Sequence, residues 1–337
     1  MSTVALLGPE SLLGREIRDI VATSDAPLSL RLIADTEEYT GALTRVGDEP
    51  AVVGSLNAES VEDAAVIILA GSDDSSRKAM ELLDDNPGAI LIDLTGAAEE
   101  RPEARLRAPL VEEPGEADEE AGHESAVHVV AHPAAIALAL FLRRLHAQDP
   151  VRASVIQIFA PASEHGAAGV EELQQQTVSL LSFKGLPKAV FDAQLSFSLL
   201  AQYGERAAIP LEETELRIER HLASLLALPG EGEGAPMPSL RLMQAPVFHG
   251  YSFGAWVEFE SNPGVETIET TLATAWIEVR GSQVEAPNNV GQAGQGGIAV
   301  GAISPDRNQP DACWFWLVAD NLRLTAENGV AVARQLL

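Results

Sequence analysis

Strand-like and helix-like patterns alternate through the first part of the chain. Val4 to Leu7 is an apolar run typical of a buried strand, and the apolar residues after it recur at helical spacing. The alternation continues, with strands predicted at 28–33, 65–70, 89–94 and 127–130 and helices at 75–84 and 134–146. Strands that alternate with helices in this way predict an α/β fold with a parallel, doubly wound sheet.

Fewer helices separate the strands in the rest of the chain. Strands are predicted at 155–160, 240–247, 254–259, 298–303 and 313–319, and helices at 170–182, 214–227 and 322–336. This pattern favours a mixed or antiparallel sheet, and hence a second, α+β domain. Alternation in the last strand places Phe315 on one face and Trp314 and Trp316 on the other, so both faces of this sheet are apolar.

The apolar faces are a reason to expect a second copy of the chain. The predicted helices are too few to cover both faces, and a patch exposing two tryptophans would favour aggregation of a monomer. A two-fold partner that covers one face removes this hazard, and large homodimer interfaces bury about 2,000 Å² or more. We therefore expect a homodimer formed through the second domain.

Composition narrows the location and the partners of the protein. The 337 residues carry a formal net charge of −28 and a single cysteine, Cys313. One cysteine excludes disulfides within the chain, as is typical of the cytoplasm. The negative charge argues against nucleic acid and anionic membranes as partners, because both attract basic patches. Since apolar runs stay below the roughly 18 residues of a membrane span, we expect a soluble, cytoplasmic protein.

The turn after the first strand carries glycines in a pattern typical of dinucleotide-binding folds. Gly8 and Gly14 bracket it, but Ser11 occupies the middle position, where glycine lets the backbone approach a pyrophosphate. Asp35 follows about 20 residues later, where an acidic residue accepts the ribose 2′-hydroxyl of NAD. The next residues, Thr36-Glu37-Glu38, include no arginine for the 2′-phosphate of NADP, so NAD is favoured if a nucleotide binds. The alternative for Asp35 is a solvated acidic loop.

The stretch from Val127 to Leu138 joins a buried strand to an alanine-rich helix. Pro133 suits the first turn of that helix, where a backbone N–H is not required. Ligands bind at such corners in open α/β sheets, and the helix dipole would activate a nucleophile there. This chain has Ala134 and Ala135 at the corner, and neither can act as a nucleophile.

Several short motifs, in the same order along the whole chain, resemble those of the aspartate-semialdehyde dehydrogenase family. The first glycine turn resembles the family's nucleotide loop, and Ile68 to Ser72 resembles its second glycine-bearing turn. Further segments resemble family motifs at Ile92 to Ala97, Gly169 to Leu173, Ala245 to Ser252, and Asp320 to Arg323 with Asn328. The resemblance implies a Rossmann-like NAD(P)-binding domain at 1–132 and 320–337, with an inserted substrate and dimerisation domain at 133–319. It implies cofactor positions at Gly8, Ser11, Gly14, Gly71 and Asn321.

The resemblance also implies which positions would carry the family's covalent chemistry. The family's cysteine nucleophile lies in an Asn-Pro-Asn-Cys turn that falls on His132-Pro133-Ala134-Ala135, so its position holds Ala135. A methyl group cannot form the thioester intermediate. Cys313 lies in a predicted strand far along the chain and cannot replace the nucleophile. The family's histidine base falls on Tyr251, a poor base at neutral pH because a phenol has a pKa of about 10.

The substrate-binding positions that the resemblance implies have changed as well. The family's arginines fall on Glu99 and on Gly301 to Ser304, and its lysines fall on Glu215 and Leu222. Glu219 corresponds to a glutamate of the substrate domain. Replacing an arginine by glutamate reverses the charge at a carboxylate or phosphate site.

A few histidines remain as candidates for other chemistry. His249 lies two residues before Tyr251, and an extended segment would place the two side chains together for acid–base work. His128 and His132 share a face but lack a third ligand, so we predict no metal site. The side chains of Ser163 to His165 are too close in sequence to form a triad. They mark a change in the family's glycine loop, where their bulk would narrow the nicotinamide pocket.

Two functional hypotheses remain. The first is a degenerate bacterial paralogue that does not catalyse the family reaction and acts by dimerising or by binding a partner, including mixed dimers with an active relative. The second is an NAD(P)-dependent oxidoreductase of amino-acid biosynthesis that acts on an aldehyde or oxo group without a cysteine. The joint loss of nucleophile, base and arginines favours the first hypothesis. The retained Gly8, Gly14 and Asp35 support the second.

Overall fold

The chain forms two units, each with a six-stranded sheet. The computed structural model describes residues 3–24, 28–62, 64–84, 89–113 and 126–337. One unit comprises Met1–Ala131 and Thr325–Leu337, and the other comprises His132–Leu324. The sequence also predicts a charged, solvent-exposed loop at 112–124, and from position 114 onward this loop lies outside the described residues.

A parallel sheet forms the centre of the first unit. Its elements in chain order are β1 (Thr3–Leu7), α1 (Leu12–Thr23), β2 (Ser29–Ile33), β3 (Leu43–Val46), β4 (Glu49–Val52), α2 (Ala58–Glu62), β5 (Val66–Leu69), α3 (Asp73–Asp84), β6 (Ile90–Asp93), β7 (Ala104–Arg107) and β8 (Val127–Val130). The strand order is β2-β1-β5-β6-β8-β7, and all neighbours are parallel. Strands β5 and β8 are buried along their whole length, as expected for a sheet covered on both faces. β3 and β4 pair separately as an antiparallel hairpin.

Packing within the first unit requires the glycines of the β1–α1 turn. A Cβ on Gly8 would lie 2.5 Å from the Cα of Gly71, and one on Gly14 would lie 2.0 Å from the carbonyl oxygen of Gly8. Gly8 also has a φ of +78°, in the left-handed region that favours glycine. These glycines are therefore needed whether or not a ligand binds.

A mixed sheet forms the centre of the second unit. Its elements are α4 (Pro133–Gln148), β9 (Val151–Ala160), α5 (Gly166–Leu181), α6 (Leu211–Leu226), β10 (Ser239–Gln244), β11 (Tyr251–Phe259), α7 (Val265–Leu272), β12 (Ile277–Arg280), α8 (Asn289–Gln292), β13 (Ile298–Pro305) and β14 (Ala312–Ala319). The strand order is β10-β9-β11-β14-β13-β12, with parallel pairs at β10–β9 and β12–β13 and antiparallel pairs between them. The last helix, α9 (Asn321–Leu336), belongs to the first unit from Thr325 onward. The predicted fold class, a parallel sheet with helices plus a mixed-sheet unit, is confirmed.

The two faces of the mixed sheet differ in exposure. On the inner face Phe315 is 3% exposed and meets Phe141 of α4 edge to face, with ring centroids 5.1 Å apart. On the other face Trp314 is 47% exposed and Val155 is 48% exposed, and both are paired across strands with Trp256. The predicted alternation in β14 is therefore correct. We call the second face the aromatic face and define it by Val155, Trp256, Trp314 and Trp316.

One carboxylate holds two tryptophans of the aromatic face. The Oδ2 atom of Asp306 accepts the Nε1–H of Trp256 at 3.0 Å and that of Trp314 at 2.8 Å. Its Oδ1 atom accepts the backbone N–H groups of Asn308 and Gln309. The bonds from the backbone and the indoles lower the pKa of Asp306. The indole rings are therefore fixed on the sheet.

The shorter elements do not follow from the sequence pattern. The patterns failed to predict β3, β4, α2, β7, α7, β12 and α8. In the β3–β4 hairpin Leu43 is 83% exposed and Val52 is 61% exposed, so no buried face imposes an alternation there. Within the described ranges, no helix combines the length and the hydropathy needed to cross a membrane.

Candidate functional site

His132 caps helix α4 at the corner predicted between residues 127 and 138. Its Nδ1 atom accepts the backbone N–H of Ala134 at 3.2 Å, and Pro133 occupies the first turn, as predicted. The backbone N–H of His132 donates to the Nδ1 atom of His221 on α6 at 2.9 Å. Because Nδ1 of His132 accepts a hydrogen bond, a neutral ring carries its proton on Nε2.

A carboxylate joins this histidine to a tyrosine of β11. Glu164 lies in the 3₁₀ turn Ala162–His165, between β9 and α5. Its Oε1 atom accepts from Nε2 of His132 at 2.9 Å, and its Oε2 atom accepts the hydroxyl of Tyr251 at 2.8 Å. His132 and Tyr251 are 1% and 0% exposed, and the side chain of Glu164 is 14% exposed. We call these three side chains the His–Glu–Tyr cluster.

Electrostatics keep the carboxylate of the cluster ionised. Burial alone would raise the pKa of Glu164, but His132, the hydroxyl of Tyr251 and the charge of Arg217 together lower it from 4.5 to about 2. Burial and the neighbouring Glu164 raise the pKa of Tyr251 well above 10.0. Near neutral pH the cluster therefore contains an ionised carboxylate and a protonated phenol.

The next residue, His165, belongs to a different network. Gln244 donates its amide hydrogens to the carbonyls of Ala160 and Ala245, which leaves its Oε1 atom to accept the hydroxyl of Tyr203 at 2.6 Å. The oxygen of Tyr203 then accepts from Nε2 of His165 at 2.9 Å. Burial lowers the pKa of His165 and raises the pKa of Tyr203. Both groups are therefore neutral near pH 7, and they are hydrogen-bonded to each other.

The side chains of the segment from Ser163 to His165 bond to separate partners rather than to one another. The hydroxyl of Ser163 donates to the Oδ1 atom of Asn321 at 3.2 Å, whereas Glu164 and His165 bond elsewhere. The same Oδ1 atom accepts the backbone N–H of Gly250 at 3.0 Å. The side-chain carbonyl of Asn321, a predicted cofactor residue, thus accepts hydrogen bonds from within the second unit.

The positions that would supply a nucleophile are buried and unreactive. Ala134 and Ala135 lie in the first turn of α4 and are 0% exposed. Cys313 lies in β14, is also 0% exposed, and has its sulfur 3.7 Å from the Oδ1 atom of Asn262. Burial raises the pKa of this thiol, which disfavours the thiolate.

The structure does not join His249 to Tyr251. The intervening Gly250 has a φ of +83°, so the segment is not extended there, and the hydroxyl of Tyr251 is bonded to Glu164. The Nδ1 atom of His249 is buried without a hydrogen-bond partner among the described residues. Glu219 lies on α6.

The implied anion-binding positions offer no cation. Glu99 lies in the turn after β6. Gly301 to Ser304 lie in β13, where the pairing with β14 is irregular and Ala302 has a φ of +47°. Among the residues that the structure describes, no group of three or more His, Cys, Asp or Glu side chains could hold a metal ion.

The predicted nucleotide residues of the first unit meet at the carboxyl ends of β1, β2 and β5. The Oγ atom of Ser11 donates to the carbonyl of Ala70 at 2.6 Å and accepts the N–H of Gly14 at 2.9 Å, so the hydroxyl is turned into the loop. A Cβ on Gly71 would lie 2.7 Å from the Cβ of Asp35. The Oδ1 atom of Asp35 is buried and has no hydrogen-bond partner among the described residues.

The central role of Glu164 is the feature that sequence reasoning missed. Its partners are 32 positions earlier and 87 positions later in the chain, so no local pattern links them. The available signal was that His132, Glu164 and Tyr251 all lie in segments where the family resemblance implies other residue types. In the structure these three side chains bond to one another.

Known proteins resemble this chain over its whole length. The family model described as "Semialdehyde dehydrogenase, dimerisation domain" matches residues 142–324. An aspartate-semialdehyde dehydrogenase of Prochlorococcus marinus is 26% identical over 345 residues, covering 99% of this chain and 96% of the relative. A USG-1 protein homolog of Pseudomonas aeruginosa is 30% identical over 342 residues, covering 99% and 97%.

A solved structure extends this comparison to the fold. A probable aspartate-semialdehyde dehydrogenase from Pseudomonas aeruginosa matches with a TM-score of 0.80 at 26% identity, covering 99% of this chain and 98% of that one. The resemblance in sequence therefore extends to the fold of the chain. The chain belongs to the aspartate-semialdehyde dehydrogenase family, and its residues 142–324 match the model of the family's dimerisation domain.

Proposed function

We propose that this protein does not catalyse the reaction of its family and acts in the cytoplasm as a dimeric binding or regulatory paralogue. The observation that carries the proposal is the His–Glu–Tyr cluster, buried at the start of α4 beside Ala135. Tyr251 stands where the family resemblance implies the base, and His132 lies in the turn where the resemblance implies the nucleophile, at Ala135.

This arrangement supplies neither the nucleophile nor the general base that the family's covalent chemistry requires. Ala135 cannot form a covalent intermediate with an aldehyde or an acyl phosphate. A general base works best with a pKa near the operating pH. The pKa of Tyr251 is far above that range and the pKa of Glu164, about 2, is far below it. The cluster is therefore poorly suited to move protons at neutral pH.

Dimerisation is the property of the family for which this chain retains the structural features. Its dimerisation domain is retained, and the aromatic face of that domain is partly uncovered within one chain. A second copy that covers Trp314 and Val155 would remove apolar surface from water. An active relative with a similar face could form mixed dimers in the same way.

Activity measurements test the loss of catalysis. We expect purified protein to show no phosphate-dependent oxidation of aspartate semialdehyde above background, with NAD or with NADP. Ala135→Cys alone should not restore turnover, because Tyr251 cannot serve as the base and the implied arginine positions lack a cation. The Prochlorococcus marinus relative is the positive control. Turnover by the natural chain that disappears in Tyr251→Phe would refute the proposal.

A second candidate function is that of a nucleotide-dependent oxidoreductase with other chemistry. It is favoured by one observation, the buried and unpartnered Oδ1 atom of Asp35 at the end of β2. A ribose hydroxyl could donate to this oxygen, whereas the charged 2′-phosphate of NADP would be repelled.

Calorimetric titration distinguishes these two candidates. We expect weak or absent binding, with NAD preferred over NADP and the preference lost in Asp35→Asn. Ser11→Gly is the matched variant, because it restores the glycine of the nucleotide pattern without changing the acidic residue. Tight, saturable NAD binding would support the oxidoreductase, and micromolar affinity for NADP would contradict the role given to Asp35.

A further inference from the structure

The environment of Glu164 has the features of a carboxylate-binding site. Each carboxylate oxygen accepts one donor, and the donors come from separate elements, the start of α4 and the start of β11. Both donors are almost fully buried, at 1% exposure for His132 and 0% for Tyr251. Arg217 on α6 adds positive charge, since it helps to lower the pKa of Glu164. Hydrogen bonds to an ionised group are the stronger class in proteins.

The donors are positioned independently of Glu164. His132 is fixed by its bonds with Ala134 and His221, at 3.2 and 2.9 Å. Tyr251 is paired with Ala319 in the sheet and stacks on Phe253, with ring centroids 5.9 Å apart. Removing the carboxylate would therefore leave two donors aimed at the same place, which is a preorganised anion site.

The carboxylate belongs to a residue in a short turn. Glu164 lies in the 3₁₀ turn before α5, and Gly166 follows with a φ of +60°. The side chain beyond Cα is a propionate group attached to this turn. Tethering gives it a high effective concentration, so a free carboxylate cannot compete with it in the natural chain.

We propose that His132 and Tyr251 form a binding site for a short monocarboxylate, which the chain occupies with its own Glu164. Glu164→Gly removes the tethered group and leaves a space matched to free propionate. The natural chain is closed to external carboxylates because its own side chain fills the site.

Chemical rescue tests the site. We expect sodium propionate, compared with sodium chloride at equal ionic strength, to raise the urea midpoint of Glu164→Gly in a saturable way. At a concentration of 100 times Kd the unfolding equilibrium constant should fall about 100-fold. The natural chain and Glu164→Gln should not respond, because their sites are filled. Propionamide should fail to rescue, since it has the shape of propionate without the charge.

A double variant and a control variant test whether the response to propionate depends on the site. Adding Tyr251→Phe to Glu164→Gly should weaken propionate binding by about tenfold or more, because one donor to an ionised group is lost. Glu171→Gly, on the exposed side of α5, is the control and should show no propionate dependence. If Glu164→Gly does not fold in chloride, its refolding yield in propionate against propionamide is measured instead. Equal responses to the two additives, or an equal response of the natural chain, would refute the site.

Discussion

The carboxylate of Glu164 determines which chemistry is available at the start of α4. Glu164 accepts the hydrogen bonds that His132 and Tyr251 donate, and burial together with the charge of Glu164 raises the pKa of Tyr251 and keeps the phenol protonated. The sequence identified Ala135 and Tyr251 as changed positions because each stands inside a recognisable motif. It could not identify the bond to Glu164, because hydrogen bonds between distant segments depend on the tertiary fold.

The ionisation of Glu164 predicts a specific dependence of stability on pH. Its pKa falls from 4.5 to about 2 on folding, so the folded state favours the charged form. The resulting stabilisation, about 3 kcal/mol at most, is complete above about pH 5 and is lost as pH falls toward 2. Urea unfolding from pH 6 to pH 3 should show the free-energy gap between the natural chain and Glu164→Gln narrowing. A constant gap would contradict the pKa shift.

A pair of tyrosines provides the matched control for this pH dependence. Tyr251→Phe removes a donor to Glu164, so it should cost about 1.5–3 kcal/mol and move the loss of stability to higher pH. Tyr203→Phe removes a hydroxyl that bonds to Gln244 and His165, and it should leave the pH dependence due to Glu164 in place.

Helix α5 anchors the irregular segment 187–196 through hydrogen bonds to its backbone. Two buried side chains of this helix, Glu172 and Gln176, bond to backbone groups of the segment, namely those of Pro187, Val190, Phe191, Ala193, Leu195 and Ser196. Their exposures are 4% and 0%. The glutamine-rich sequence of α5 predicted a helix but gave no sign that one glutamine acts as an anchor.

Replacing the anchor should loosen the segment while the sheet stays folded. Gln176→Ala leaves buried backbone groups without partners, at about 1–3 kcal/mol, and should speed proteolytic cleavage within 187–196 about tenfold or more. Gln175→Ala, at an exposed position one residue earlier, should have no such effect. Equal cleavage of the two variants would show that the segment does not depend on Gln176.

Elements with a buried apolar face were predictable, and exposed or short ones were not. The long strands β9, β11 and β14 carry alternating buried residues that the sequence displays directly. Strand β12 and helix α7 have few buried positions and many charged or threonine residues, so their patterns resemble loops. The β1–α1 turn shows a different limit of prediction from sequence. Its glycines follow a pattern typical of nucleotide-binding turns, but packing within the chain is enough to require them.

The exposed aromatic face predicts the oligomeric state of the protein. We expect sedimentation at micromolar concentration to show a species of twice the chain mass, reduced to a single chain in Trp314→Glu. Trp276→Glu is the control, because Trp276 is similarly exposed, at 41%, but lies before the edge strand β12. Phe315→Glu would test the core instead, since that ring packs on Phe141. A folded natural monomer at this concentration would contradict the dimer.

The positions of the tryptophans also determine how unfolding can be observed. All of the chain's 4 tryptophans lie between positions 256 and 316, inside the unit His132–Leu324. Tryptophan fluorescence therefore reports on the mixed-sheet unit alone, and melting of the parallel sheet produces no tryptophan signal of its own. Far-ultraviolet circular dichroism detects both sheets and their helices. Denaturation curves that coincide by the two methods would mean that both units unfold together, whereas separate midpoints would give each unit its own stability.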